Sequence, residues 1–319
     1  MNPSSESLSA HLTDATLLLP AIQAWKIYLH DQGRTDHTLK AFTADLMLLA
    51  NFLPPDKQLG QISTKELEDF LEWLQTGRNV PCSPKTLSRR ITSLKSFFRW
   101  LTTNGVLATN PAEKIVQRTV VSPLPQVLSA SEQAKVLDAA DALRTAANPD
   151  LRPYVLIRLI LETGLKKGEC LHLMTNHVEL EGPDAPRIFV RYSSPRYRYK
   201  ERNIPVSPEW AKAYQEYVAR YQIKNQVFPW SQRRLEYLLE DVGNAASLDK
   251  HLSFDMCRWT SALNDLTEGR DADKIRQKLG ISKIQWREVS DKLRSLAKEM
   301  GYDARATPVP QALDLPENK

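Results

Sequence analysis

The sequence predicts a mainly α protein with a small antiparallel β-hairpin or sheet, divided into an N-terminal four-helix domain and a larger α+β domain. Three observations carry this reading. Apolar residues recur at helical spacing through most of the chain, and the period breaks around residues 186–206. The length of 319 residues suits about two domains better than one. Glycine is scarce, 11 residues in all, roughly half the usual share. That scarcity excludes Gly-rich nucleotide folds and turn-dense β-sandwiches.

Residues 1–14 are polar and Ser-rich and read as a loose arm. Four helical patterns follow, and together they make a bundle over residues 15–113. Residues 20–31 carry Ile22, Trp25 and Leu29, and residues 36–53 place Leu39, Phe42, Leu46, Leu49, Phe52 and Leu53 on one stripe. Residues 63–75 begin with Ser63, and Glu66 three positions on completes a capping box. Residues 83–103 begin Ser83-Pro84, with proline at the first helical position. The prolines and the β-branched run Thr119-Val120-Val121 make residues 114–128 an extended linker. The second domain, 129–302, opens with the capping box Ser129 and Glu132 and continues with helices at about 131–146 and 153–163. Ile188-Phe189-Val190 and Asn203-Ile204-Pro205-Val206 read as two strands of a hairpin. Helices resume at about 208–222, 231–245, 255–268, 271–279 and 282–300, and residues 303–319 form a Pro-containing tail.

The formal charge of +5 permits a nucleic-acid partner without requiring one. Cys82, Cys170 and Cys257 are odd in number and far apart, which speaks against a disulfide framework and for a reducing compartment. No HExxH or comparable pattern points to a metal site, and no cofactor is implied. No segment reads as a signal peptide or a membrane span, so the expected location is cytoplasmic, in contact with the nucleoid.

Two stretches carry chemistry. The helix from Pro84 holds Lys85, Arg89, Arg90, Lys95 and Arg99 with no acidic residue of its own, and hydroxyls of Ser88, Thr92, Ser93 and Ser96 accompany them. Such a surface suits a phosphate backbone, and the bland alternative is a solvated helix face. Residues 187–202 contain Arg187, Arg191, Arg196, Arg198, Lys200 and Arg202 against the single Glu201, interleaved with Tyr192, Tyr197 and Tyr199. A cationic hairpin tip with aromatics can enter a groove or clamp phosphates, and the alternative is an ordinary solvated loop. Double-stranded DNA held by both elements is the simplest partner.

The segment Thr163-Gly164-Leu165-Lys166-Lys167-Gly168-Glu169 resembles the box of tyrosine recombinases, the phage-integrase family, in which TGLR-x-x-E carries the first catalytic arginine. Arg89 to Leu101, followed by Asn110-Pro111-Ala112, resembles the last helix and exit of that family's core-binding, SAM-like domain. Lys200-Glu201-Arg202-Asn203-Ile204-Pro205 resembles the second strand of its β-hairpin. Arg258 through Leu279-Gly280 fits its second arginine box and LGH box without a gap, with Gly269 in register. The resemblance covers about residues 15–295. It implies a core-binding domain and a catalytic-type domain forming a C-shaped clamp around duplex DNA.

In that family two arginines, a lysine and one or two imidazoles surround the scissile phosphate, and a tyrosine attacks it. Cleavage places extra negative charge on phosphorus, which preorganised cations stabilise, and a general acid must protonate the leaving oxygen. This chain departs from the pattern at five positions. The first arginine is Lys166, which keeps a charge but loses the bidentate fork. The hairpin lysine falls on Tyr197, with Arg196, Arg198 and Lys200 as neighbouring stand-ins. The histidine before the second arginine is Asp255, whose expected role is capping its helix. The residue after Leu279-Gly280 is Ile281, and the nucleophile position is Ser290. Only Arg258 is retained.

The expected function is therefore DNA binding within site-specific recombination, integration or its regulation, without independent cleavage. DNA contacts are expected from Lys85, Arg89, Arg90, Lys95, Arg196, Arg198, Lys200 and Arg202, in a homo-oligomer or in hetero-assembly with active recombinases. One alternative is an active recombinase with a displaced nucleophile, Tyr302 or Ser290. The other is a non-catalytic protein-interaction module whose basic surface takes an acidic partner.

Overall fold

The computed structural model describes residues 11–78, 80–118, 122–182 and 185–302. The chain divides into two compact units, 1–122 and 123–319. Most of the expected arm (1–10), the run Thr119-Val120-Val121 and the tail 303–319 lie outside the described residues.

Among the described residues the first unit carries four α-helices: α1 (Leu18–Asp31), α2 (Asp36–Phe52), α3 (Thr64–Glu72) and α4 (Pro84–Thr103). Each start except that of α1 is fixed by a side-chain cap. Thr35 accepts the Thr38 N–H, Ser63 accepts from Glu66 while the Glu66 carboxylate accepts the Ser63 N–H, and Ser83 accepts from Thr86 ahead of Pro84. Such caps satisfy otherwise orphaned N–H groups and contribute about 1 kcal/mol each. α3 runs on into one π turn over Trp73–Gly77, which helical periodicity does not foresee. The core is aromatic and aliphatic: Trp25 meets the edge of Phe97, and Leu46, Leu49, Phe70, Leu94 and Phe98 are fully buried. Each such side chain contributes about 1.5–3 kcal/mol. Beyond α4, Ala112 and Ile115 pack into this core and Gln117 bonds back to α4. The segment read as linker is thus anchored on the first unit through Gln117.

The second unit is built around α6 (Arg152–Thr163), whose Val155, Leu156, Ile157, Leu159 and Ile160 are all buried. A helix buried on several faces must be covered from several sides. α5 (Ala130–Thr145), α8 (Pro208–Tyr221), α9 (Gln232–Ala245) and α10 (Phe254–Thr267) pack on it, and Trp210 of α8 donates its indole N–H to the Val155 carbonyl at 2.9 Å. The Ser129–Glu132 capping box opens α5 as expected. A short helix, α7 (Lys167–Leu171), leads to the antiparallel sheet β1 (Val178–Glu179), β2 (Arg187–Val190) and β3 (Arg202–Pro205), in that order, with Ile188 opposite Ile204. The hairpin is therefore β2–β3. The added strand β1, two residues long, is too short for any period to reveal. α11 (Ala272–Leu279) and α12 (Lys283–Glu299) close a separate apolar cluster with α10 through Leu263, Ile275, Leu279, Leu293 and Leu296. Among the described residues no helix is long and apolar enough to cross a membrane.

Candidate functional site

The pocket forms where α6 stops. Gly164 ends that helix in the left-handed region, φ +61°, and a Cβ there would lie 3.1 Å from Leu279 Cδ2. Only glycine meets both conditions without strain. The reversed chain then delivers Lys166 and α7 beside α10. Arg258 of α10 reaches across, its Nη1 donating to the Gly164 carbonyl and its Nη2 to the Leu279 carbonyl at 2.6 Å. One cavity of about 670 Å³ is lined by Lys166, Lys167, Arg233, His251, Asp255 and Arg258. A smaller one of about 260 Å³ lies between Arg258 and Ile281, Glu288, Val289 and Lys292.

Glu169 is a buried hub beside Lys166. Its Oε2 accepts the Lys166 N–H at 2.9 Å and Arg202 Nη2 at 3.0 Å, while Oε1 accepts Arg202 Nη1 at 3.0 Å and the Tyr192 hydroxyl. Burial pushes this carboxyl up, and the Arg202 bonds and charge more than offset it, leaving it at about 2. Arg202 also donates through Nε to the Lys278 carbonyl at 2.6 Å, passing over Gly280, where a Cβ would sit 2.6 Å from Nη1. The pair therefore ties β3, α7 and α11 together. Burial, with the Arg258 charge adding to it, brings Lys166 down to about 8. Burial also lowers Arg258, to about 10.

The remaining expected positions fall differently. Asp255 is not the cap of α10: Ser253 accepts the Met256 N–H, and Asp255 follows in the first turn on the cavity wall. Asp255 makes no hydrogen bond to Arg258; the guanidinium is taken by the two carbonyls. Ile281 packs on the apolar cluster of α10, α11 and α12. Ser290 sits within α12, lines neither cavity, and donates its hydroxyl to the Arg287 carbonyl of its own helix at 3.0 Å. Tyr302 follows α12, 47% exposed, its N–H bonded to the Ala297 carbonyl. Tyr197 packs against Tyr192 and lies under the Lys200 ammonium, 4.7 Å from its ring.

The two basic stretches are unequal. In the loop between β2 and β3, Arg196 and Arg198 are exposed and have no carboxylate partner among the described residues. Tyr199 beside them is 68% exposed. Arg202 is different: its side chain is only 8% exposed and is committed to Glu169. On α4, Lys85 and Arg99 are exposed and Lys95 half-buried. The sequence expectation of unopposed cations fails for Arg89 and Arg90, because α2 supplies the missing acid. Asp45 lies 2.5 Å from Arg89 Nη1 and 3.5 Å from Arg90 Nε. Gln117 meanwhile occupies hydroxyls of the same helix face, donating to Ser88 and Thr92.

Sequence reasoning assigned no role to Asp45, to Glu169 as a hub, or to His251, Arg233 and Tyr237 on the cavity wall. Asp45 and Arg202 had a signal. Each stands at an inward register of its own element's apolar pattern. His251 and Arg233 belong to no such pattern.

Comparison with known proteins places these features. Residues 22–105 match the family model described as phage integrase, N-terminal SAM-like domain, and residues 126–288 match that of the phage integrase family. A tyrosine recombinase of Thermosipho africanus is 28% identical over 200 residues, 62% of this chain and 66% of that protein. A tyrosine recombinase XerC of Rhodospirillum centenum is 29% identical over 207 residues, covering 58% of its own length. The aligned chain thus spans less than two thirds of either. A XerC of Xanthomonas campestris pv. campestris is 26% identical over 304 residues, 91% of this chain and 89% of that one. Among solved structures, the XerH site-specific recombinase bound to palindromic difH substrate gives a TM-score of 0.68 at 17% identity, covering 93% of this chain and 92% of its own. A lambda integrase dimer bound to a COC′ core site gives 0.66 at 15% identity, covering 99% and 85%. These last two likenesses establish the fold.

Proposed function

The chain belongs to the phage integrase family of tyrosine recombinases, and we propose that it is a member that binds double-stranded DNA without cutting it by itself. Its work is then architectural or regulatory in site-specific recombination or integration, alone as a homo-oligomer or beside active recombinases. One observation carries this reading: Arg196 and Arg198 are exposed cations with no carboxylate partner among the described residues, while the residue at the nucleophile position, Ser290, lines neither cavity beside Arg258 and spends its hydroxyl on its own helix. Charge that can hold a backbone is present, and the group that attacks phosphorus is absent from its expected place. Lys85 and Lys95 on α4 of the first unit and Lys200 in the loop of the second are the further cations offered to the backbone, each on its own unit. Arg202 and Arg90 serve as internal struts.

The experiment has two arms. Anisotropy titration of a labelled duplex across a salt series is expected to show affinity falling log-linearly with salt. A duplex nicked beside the cleavage point is expected to yield no covalent adduct. An adduct mapped to Ser290 or Tyr302 would overturn the non-cleaving reading. The cavity also holds an imidazole and a phenol, His251 and Tyr237, and an adduct on Tyr237 would do the same. Displacement of the duplex by an acidic protein, or absence of duplex binding at low salt, favours the interaction-module reading instead.

The pocket adds a pH dependence. Free Lys166 titrates at about 8, and a phosphate in the cavity favours the charged amine, raising its pKa in the complex. Binding then takes up a proton above pH 8. The contribution is fully present below that value and lost as pH rises through it. Duplex affinity is expected to fall by at most about tenfold per pH unit above this point, one linked proton. Lys166→Arg, always charged, flattens the profile. A wild-type profile that is level to about pH 9.5 sinks the assignment of a phosphate to this cavity.

A further inference from the structure

Among the described residues of the first unit one carboxylate is buried, and the way it is buried assigns it a task. Asp45 of α2 is 2% exposed among the apolar residues Leu39, Leu46 and Leu49 of the same helix. Its Oδ2 accepts Arg89 Nη1 at 2.5 Å and the Ser93 hydroxyl at 2.7 Å. Arg89 Nη1 also donates to the Ala41 carbonyl at 3.3 Å. One corner of the Arg89 guanidinium is therefore held by two acceptors of α2. The side chain nevertheless stays 39% exposed, and its Nε and Nη2 make no hydrogen bond among the described residues. Arg90 is 13% exposed, donates to Cys82 Sγ at 3.3 Å, and has a buried Nε without a hydrogen-bond partner among the described residues.

A buried ion pair is a poor way to make an interface stable, because desolvation consumes most of the attraction. An apolar residue at position 45 would pack α2 on α4 at lower cost. What it could not do is fix a guanidinium at the surface. An arginine free to rotate loses side-chain entropy when a ligand immobilises it, and prior fixing removes that loss. Residues 85, 89, 92, 96 and 99 share one face of α4 by helical spacing, so Arg89 stands in line with Lys85 and Arg99.

We propose that Asp45 is a positioning residue for DNA binding, holding Arg89 in advance so that its unbonded N–H groups meet a backbone phosphate of the duplex. This rests on the duplex-binding reading above.

The sign of one measurement separates positioning from bulk electrostatics. Asp45→Asn keeps the shape and removes a negative charge, so bulk electrostatics expects tighter binding. Positioning expects weaker binding, by about five- to tenfold, the effect of loosening one charge-assisted contact. The titration uses the full chain and a fluorescein-labelled duplex of arbitrary sequence. In the Arg89→Ala background the same change is expected to cost nothing further, a coupling that a general loss of structure does not produce. Ser93→Ala leaves every charge in place and frees one bond on Asp45. It is expected to weaken binding in the same Arg89-dependent way, and it decides the matter if Asp45→Asn does not fold. Binding by the variants as tight as wild type, or a loss equal with and without Arg89, overturns the proposal. A wild-type chain with no duplex affinity removes the underlying reading, and that result is distinct from either.

Discussion

Arg202→Ala is expected to destabilise the second unit by about 3–5 kcal/mol, the range for removing one partner of a buried ion pair. The magnitude follows from what is left behind. Glu169 would keep only the Lys166 N–H and the Tyr192 hydroxyl, and a carboxylate this deeply buried would lose both its charge partner and two bonds. The Lys278 carbonyl would lose its donor as well. In the folded chain Glu169 lies at about 2, below its ordinary 4.5. Its stabilisation is therefore complete above about pH 4.5 and is lost as pH falls toward 2. The gap between wild type and Arg202→Ala is expected to be large at neutral pH and to narrow as pH falls toward 2, leaving the pH-independent loss at the Lys278 carbonyl. Urea unfolding of the second unit's transition at a series of pH values measures it. Replacing Glu169 and Arg202 together by methionine is expected to cost much less than either single change, since no unpaired charge remains. A neutral-pH gap below about 1 kcal/mol, or one that ignores pH, rules out the strut.

Much of this architecture was legible because its signals are local. Ser63 with Glu66 and Ser129 with Glu132 announce helix starts through hydrogen bonds spanning four residues, and they form as the sequence predicts. α7 and β1 were not legible, being five and two residues long, shorter than either period needs. The site was read less well than the fold, for a physical reason. Basic residues read as surface because cations usually lie there, although the pattern around Arg202, and around the acid that pairs with Arg89 and Arg90, says otherwise. Arg202 precedes Ile204 and Val206 at alternating positions, so strand geometry turns all three to one face. That face is buried, at 2% for Ile204 and 5% for Val206. Asp45 lies three residues after Phe42 and four before Leu49, within the inward stripe of α2. An acid on that stripe requires a cation opposite, and Arg89 and Arg90 are those cations. What no pattern could supply is the pairing itself, because Asp45 and Arg89 meet only when α2 packs on α4. The same holds for Glu169 and Arg202, 33 residues apart.

This distinction decides which charge reversals can test DNA binding. Arg89→Glu with Arg90→Glu would set two carboxylates against buried Asp45, so a loss of binding there would report an unfolded first unit. Arg196→Glu with Arg198→Glu carries no such penalty, since both side chains are exposed and unpaired among the described residues. Their folded stability is expected to change by less than about 0.5 kcal/mol, as for ordinary surface positions. Duplex affinity is expected to fall by roughly 100-fold at moderate salt, and the log–log salt slope by about 2, as two phosphate contacts are lost and two repulsions gained. The control is Lys212→Glu with Arg220→Glu on α8, which alters net charge equally through two exposed residues of another element. If net charge alone drove association, both pairs would weaken binding alike. A contact at the β2–β3 loop requires the first pair to lose far more, and to lose it in the salt slope as well as in affinity. Equal losses would leave the hairpin loop as solvated surface, with the DNA contacts to be sought on α4 alone.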